Sequence, residues 1–439
     1  MGDVIFLAAL RRIAHIRLSV GTYRRGRASE TRCRMLYQAY QAHADFMLPI
    51  RALAGGSAQV ISLAPLGLPD SLATRNLTAA YELIARSGLS HTRPPYGIGS
   101  VMVGNREVEV QEKPVVVTPF GTLLHFKKDM DASQPRVLLV APLSGHFATL
   151  LRETVRTMLP EHDVFITDWH NARDVPIRHG RFGFDDYIEH VIRFLESIGP
   201  GAHIVAVCQP CVAALVAVAV MAEDNHRAQP NSMTLMAGPI DTRVNPTKVN
   251  ALANSKTMDW FEEKLIARVP FRCSGAFRRV YPGFVQLAAF MSMNIERHVK
   301  AHQELYQNLV NGEYAKAQAT KTFYDEYFAV LDLTAEFYLE TVRLVFQEHA
   351  LPLGTLEYHG HRVDTKAIRK TTLFTVEGER DDICAVGQTV AAHELCSSLR
   401  PYRKRHHMQA GVGHYGVFSG KRWTGQIYPI LKNVILSSD

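Results

Sequence analysis

Ile204 to Ala222 is a run of 19 residues without a formal charge, close to the ~20 that a helix needs to cross a bilayer. Gln209-Pro210 divides it. Ahead of the break, Ile204-Val205-Ala206-Val207 is short and β-branched; after it, Cys211 to Met221 is Ala-rich. Proline suits the first turn of a helix and disrupts a helix interior or a central strand. The run therefore reads as strand, sharp turn and buried helix, and not as a membrane span.

The same alternation continues on both sides. Val137 to Ala141, Val164 to Asp168 and Met233 to Met236 read as strands, with helices over Ala148 to Met158, Phe184 to Ile198 and Val212 to Glu223. Strands alternating with helices imply right-handed parallel crossovers and a doubly wound sheet. Glu107 to Val117 and Thr122 to Lys127 suggest a hairpin closing one sheet edge. From about Val244 to Val363 the chain is helical and aromatic-rich without strand candidates. Thr371 to Val376 and Arg405 to Gln409 then resume as strands, and Thr424 to Leu436 as a helix. The expected organisation is a helical N-terminal region at 35–100 (helices Met35 to Phe46 and Asp70 to Ser87), a core in two parts at 101–243 and 366–439, and an inserted helical cap at 244–365.

The chain is 439 residues long, and its net charge of +7 is unevenly placed. Residues 1–34 hold eight arginines against Asp3 and Glu30, or +6, and the other 405 residues carry +1. Nucleic-acid binding needs clustered positive charge, so it is excluded for the body. The arm does not read as a secretory signal, since Asp3 precedes the apolar stretch and Arg11-Arg12 follow it. It is expected to be a disordered or artefactual extension, with the folded protein beginning at Met35.

Ala206-Val207-Cys208-Gln209-Pro210 has the layout of a nucleophile elbow, in which a strand ends in a reactive side chain and turns at once into a helix. The usual form is Gly-x-Ser-x-Gly; here Ala and Pro replace both glycines, which weakens the motif. A helix N-terminus and a nearby histidine would make a thiol nucleophilic near neutral pH. Two other readings stay open on the residues alone: an inert buried cysteine, and a redox pair in Cys208-Gln209-Pro210-Cys211. Zinc would need a second cysteine pair or spaced histidines, which the sequence lacks, so no metal is expected.

A thiol nucleophile needs a base and a group to orient it, and at a nucleophile elbow these follow in the order acid, then histidine. The strand Thr371 to Val376 leads into Glu377-Gly378-Glu379-Arg380-Asp381-Asp382, and the last strand leads into Gly411-Val412-Gly413-His414-Tyr415-Gly416. Cys208, Asp381 and His414 are the expected triad, with Asp382 a solvated alternative and Asp241 a second candidate acid. An oxyanion hole would combine the Gln209 N–H with Leu143 or Ser144, in the loop Pro142-Leu143-Ser144-Gly145-His146-Phe147.

Several separated motifs carry a resemblance: the elbow itself, Asp168-Trp169-His170-Asn171-Ala172-Arg173-Asp174-Val175-Pro176, Met236-Ala237-Gly238-Pro239-Ile240-Asp241, Glu377 to Ile383 and Gly413-His414-Tyr415-Gly416-Val417-Phe418. From Met35 to the C-terminus the chain resembles the intracellular poly(3-hydroxybutyrate) depolymerases. The resemblance implies an α/β-hydrolase fold, a Cys-Asp-His triad on Cys208, Asp381 and His414, no cofactor, and a cytoplasmic enzyme on the surface of amorphous polyester granules. It leaves oligomeric state and the polymer-contacting residues open. A polyhydroxyalkanoate synthase or related acyltransferase, which shares the fold and an elbow cysteine, is the rival enzyme. A granule-coating scaffold protein is the rival outside catalysis.

Overall fold

The computed structural model describes residues 28–62, 71–130 and 133–439, with side chains described from Leu36 onward. Most of the basic arm lies outside the described residues. Nine strands build one sheet: β1 (Ser100–Val103), β2 (Arg106–Val117), β3 (Gly121–Lys128), β4 (Arg136–Val140), β5 (Asp163–Trp169), β6 (His203–Val207), β7 (Ser232–Met236), β8 (Thr372–Gly378) and β9 (Lys404–Gln409). Their order is β1-β2-β3-β5-β4-β6-β7-β8-β9. β1, β2 and β3 form an antiparallel edge that joins β5, and the pairings from β5 to β9 are all parallel.

Composition explains this layering. Every residue of β6, β7 and β8 is buried, as expected where helices cover both faces of a parallel sheet. In β2 most positions are exposed, and its register shifts between Pro114 and Val116. Proline cannot donate to the ladder and is tolerated there at an edge irregularity. The chain passes from β4 to β5 on one side and returns to β6 on the other, so the C-terminal ends of β4 and β6 flank the crevice where an open α/β sheet holds its ligand.

Helices α1 (Ala28–Ser62) and α2 (Leu72–Arg86) precede the sheet, α3 (Arg152–Met158), α4 (Phe184–Ile198) and α5 (Cys211–Glu223) cross it, and α12 (Tyr428–Leu436) closes it. α5 is buried almost throughout, the consequence of its all-apolar circumference. α1 starts ahead of Met35 and carries Pro49 inside it, so it is longer at both ends than the sequence pattern indicates. Between β7 and β8 lie α6 (Lys248–Ser255), α7 (Met258–Leu265), α8 (Gly283–Met293), α9 (Ile295–Val310), α10 (Tyr314–Tyr327) and α11 (Ala335–Thr341). This segment also contains strands, against the expectation of none. Ala267–Arg268, Arg279–Tyr281 and Leu333–Thr334 form a small antiparallel sheet, and Glu357–Tyr358 pairs with His361–Arg362. Strands of two or three residues are too short to show a period-two pattern.

Asp332 fastens three parts of the molecule together. Its fully buried carboxylate accepts from the Tyr37 hydroxyl at 2.5 Å and from the Gly283 N–H at 2.9 Å, and its own N–H donates to Asn171 Oδ1 at 3.0 Å. Burial pushes its pKa up to about 6, against the pull of the Tyr37 hydrogen bond. α1, the segment between β7 and β8, and the loop after β5 therefore meet at one polar knot inside apolar surroundings. Among the described residues, no helix is long and apolar enough to cross a membrane.

Candidate active site

β6 ends at Val207, and Cys208 takes a left-handed backbone conformation, φ +69°, before Pro210 opens α5. A β-carbon resists this conformation, so a non-glycine residue held there marks strain that the surroundings impose. They impose it by hydrogen bonds: Cys208 N–H donates to Met236 O at 2.8 Å, Cys211 N–H to Cys208 O at 3.1 Å and Ala214 N–H to Pro210 O at 2.8 Å. The motif lacks its usual glycines, yet a close approach is still made, from the neighbouring strand. An added β-carbon on Gly238, just past β7, would lie 2.2 Å from Cys211 Cβ and 2.3 Å from its Sγ. The missing small residue is supplied by Gly238, which sequence reasoning quoted only for the resemblance. No local spacing connects two residues so far apart in the chain.

Asp381 follows β8 and His414 follows β9. His414 Nδ1 and Asp381 Oδ2 are 2.7 Å apart, and both side chains are buried. The carboxylate's other oxygen accepts the N–H groups of Ile383 and Cys384, each at 2.9 Å, which fixes its direction. His414 also adjoins Cys208. Burial opposes a charged imidazole, but the adjoining charges of Cys208 and Asp381 and their hydrogen bonds hold the His414 pKa well above its ordinary value. That direction favours the protonated ring, held at Nδ1 by Asp381.

The other candidate acids point elsewhere. Asp382 is exposed and accepts from Asn294 Nδ2 at 3.2 Å, while Asp241 is taken up by Arg243 at 2.7 and 2.9 Å. Glu377, buried in β8, accepts from the N–H groups of Gly387, Thr389 and Val390 and so shapes the loop that carries Asp381. Thr389 extends this support to the elbow: its Oγ1 accepts from Gly238 N–H at 2.9 Å and donates to Gly238 O at 3.0 Å.

Leu143 and Ser144 lie just after β4, across the crevice from the elbow. Among the described residues, the main-chain N–H groups of Leu143, Ser144 and Gln209 meet no acceptor. The loop is pinned from above: Gly145, at φ +97°, leaves no room for a β-carbon against Gln286 of α8, and its carbonyl accepts from Leu331 N–H at 2.9 Å. His146 is buried against Phe290 and Tyr327, and burial lowers its pKa to about 4, so it sits there as a neutral ring. Sequence reasoning missed it, because its partners lie in helices more than a hundred residues later.

Cys208 and Cys211 are both free thiols. Cys211 is fully buried beneath the elbow, where burial raises its pKa well above the ordinary value and its thiol faces the Ala206 carbonyl at 3.3 Å. Among the described residues, no group of three or more His, Cys, Asp or Glu side chains is placed to hold a metal ion.

A mostly parallel sheet wrapped by helices, with a strained cysteine at the strand-to-helix turn, is the architecture of an α/β-hydrolase. Residues 237–439 match the family model described as PHB de-polymerase C-terminus. Over that stretch, 203 of the 439 residues, the chain is similar to the polyhydroxybutyrate depolymerases, and it is an ester hydrolase. No curated protein matches the sequence. Among solved structures, the chain is similar to the 2-hydroxy-6-oxo-6-phenylhexa-2,4-dienoate hydrolase of Rhodococcus sp. strain RHA1 (12% identity over 75% of this chain and 99% of that one, TM-score 0.38). It is also similar to an epoxide hydrolase of Bacillus megaterium (11%, 77% and 99%, TM-score 0.42) and to an esterase from Thermogutta terrifontis (12%, 76% and 97%, TM-score 0.37).

Proposed function

We propose that the protein is an intracellular depolymerase that cleaves ester bonds of amorphous poly(3-hydroxybutyrate) at the granule surface in the cytoplasm, through Cys208, His414 and Asp381. The observation that carries this reading is the pairing of a strained elbow cysteine with a buried imidazole held at 2.7 Å by a carboxylate. The Cys208 thiolate attacks an ester carbonyl of the polymer, and the N–H groups of Gln209 and of Leu143 or Ser144 take up the oxyanion. His414 protonates the departing alkoxide while Asp381 keeps Nδ1 protonated and oriented. Water then hydrolyses the thioester, with His414 as base, and releases 3-hydroxybutyrate or its oligomers. The helices between β7 and β8 serve as the cap over this centre, and the segments 101–243 and 366–439 as the two parts of the catalytic core.

Native amorphous granules supplied with the protein test substrate and reaction together. Soluble acid should appear, and Cys208→Ala should lower its rate at least ~100-fold. Polymer growth from 3-hydroxybutyryl-CoA without soluble acid would instead establish a synthase-like acyltransferase. Granule turnover unaffected by Cys208→Ala would leave a coating protein. Release as a coenzyme A thioester would make the second half-reaction thiolysis rather than hydrolysis.

A further inference from the structure

Helix α1 is built inside out. Five large apolar side chains on it stand in water, Phe46, Leu48, Ile50, Leu53 and Val60, and no other element among the described residues holds more than two. Phe46, Ile50, Leu53 and Val60 recur at i, i+4, i+7 and i+14, which is one face of a helix. Phe46 is 70% exposed and Leu53 73%. The other side is the one that packs: Tyr37, Ala54 and Ala58 are buried there, and Tyr40 stacks on Phe284 of α8 with ring centroids 4.1 Å apart. A helix that only had to lie on this protein would turn its large aliphatic side chains inward and its alanines out.

The stripe is also uncharged. Between Leu36 and Ser62 the helix carries two formal charges, Asp45 and Arg51. Asp45 is paired with Arg272 and Arg51 is partly buried; they lie about 100° and about 140° round the helix from Phe46, on either side of the stripe. A helix that lies on an anionic membrane carries Lys and Arg on its polar face, and a folded partner is met through a polar rim. Neither is present along this face. A second copy of the chain fits poorly too. The 22 residues from Ala39 to Val60 run ~33 Å as a helix and present a strip ~10 Å wide, roughly 330 Å², where a stable pair of copies needs about 800 Å² from each. An uncharged solid sets no such demand for a matching surface. α8 touches α1 through Phe284 and the loop after β4 through Gln286, so α1 is one helix removed from the loop across the crevice from Cys208.

We propose that the stripe Phe46, Ile50, Leu53 and Val60 is the surface through which the protein adsorbs to solid amorphous poly(3-hydroxybutyrate), separate from the centre that cuts it. This rests on the polyester depolymerase reading above and assigns the contact to named residues. The polymer offers methyl and methylene groups, carbonyl acceptors and no charge, so an uncharged apolar strip gains by leaving water for it and strands no charge on the way. Adsorption keeps the enzyme beside the polymer while successive esters reach Cys208. It is no part of the chemistry, and a dissolved ester is cut equally well without it.

The probes are amorphous particles of poly(3-hydroxybutyrate) alone and vesicles of phosphatidylcholine and phosphatidylglycerol in equal parts. Cosedimentation should find the protein on the particles in dilute buffer and in molar sodium chloride alike, since salt screens charges and not apolar contacts. Phe46→Gln with Leu53→Gln should weaken that binding ~100-fold, about tenfold for each apolar side chain withdrawn. The same pair should raise the particle concentration for half-maximal acid release and leave the saturated rate, and kcat/KM on p-nitrophenyl butyrate, unchanged. Ala39→Leu, at an exposed position in line with Phe46, should tighten binding, up to ~10-fold. Binding untouched by these substitutions, or lost in molar salt as attachment through the arginine-rich arm requires, overturns the proposal. So does a preference for the vesicles, or a wild-type dimer that the double substitution dissociates. In each of these cases acid released from the particles leaves the depolymerase reading standing. Particles neither bound nor degraded overturn both.

Discussion

Replacing Gly238 by alanine tests the support beneath Cys208. The new β-carbon would lie 2.2 Å from Cys211 Cβ, 2.3 Å from Cys211 Sγ and 3.2 Å from the Cys208 carbonyl oxygen. Carbon atoms pack best at ~3.5–4.0 Å, so the two residues must part by about an ångström or more. Neither can yield freely. Cys211 is wholly buried in the first turn of α5, and Gly238 is held through both its N–H and its carbonyl by Thr389. Overpacking of a filled core costs about 1–3 kcal/mol. A shift of order 1 Å at the reacting atom costs about 10²-fold in rate. Gly238→Ala should therefore lose about 1–3 kcal/mol in urea denaturation and about 10²-fold in kcat on a soluble ester. The decisive arm adds Cys211→Gly, which removes both clashing atoms. Alone, that change costs roughly 1 kcal/mol for glycine in a helix plus the lost thiol packing. Combined, the pair should be more stable than the sum of its parts by at least about 1 kcal/mol and should regain rate. A fully active and stable Gly238→Ala protein, or strict additivity in the double variant, would refute the reasoning.

Three further outcomes follow from the charges. In Cys208→Ala the His414 ring loses the neighbour that contributes most to raising its pKa, so its NMR titration should move to lower pH; an unmoved titration means no ion pair with the thiolate. Asp381→Asn should lower kcat by about 10⁴-fold. Because folding raises the His414 pKa, the stability it gives is complete below the unfolded value near 6.5 and is lost as pH rises through the folded value. Urea midpoints of wild type and Asp381→Asn should consequently converge as pH increases. Tyr37→Phe removes a buried donor from Asp332 and should cost about 1–3 kcal/mol. Since that hydrogen bond holds the Asp332 pKa down, near about 6, the deficit should be larger above that pH than below it, and a flat pH response would contradict the assignment.

What the sequence disclosed depended on whether the physics was local. The elbow was legible because an uncharged run broken by Gln209-Pro210 admits few parses, and β6, Cys208 and α5 follow that parse. Asp381 and His414 stood out for a similar reason: each follows a strand by a few residues, and strand ends in a parallel sheet share one edge. The structure brings these two together and leaves Asp382 and Asp241 with Asn294 and Arg243. Gly238 escaped notice because its contact crosses from β7 to α5, and only register, Val207 opposite Met236, sets it. The short strands at Arg279–Tyr281 and Leu333–Thr334 pair over some fifty residues with no pattern of their own.

A cysteine paired with a raised imidazole alters where the barrier to ester cleavage lies. In a serine site the histidine must take a proton as attack proceeds; in the proposed mechanism Cys208 attacks as the thiolate beside a protonated His414, so attack needs no base. The difficulty moves to the tetrahedral adduct. A thiol ionises near 8.5, whereas alcohols hold their proton far more firmly, about as tightly as water does. Left alone, the adduct expels sulfur and returns to ester. Only a proton delivered to the departing oxygen turns the partition forward, and in the proposed mechanism His414, hydrogen-bonded through Nδ1 to Asp381, delivers it. On the proposed mechanism the dependence on His414 must then follow the leaving group. His414→Ala should depress hydrolysis of alkyl esters far more than that of p-nitrophenyl esters, whose phenolate departs unaided. Equal losses on both would place the histidine's work at the attack step and remove the reason for a preformed ion pair.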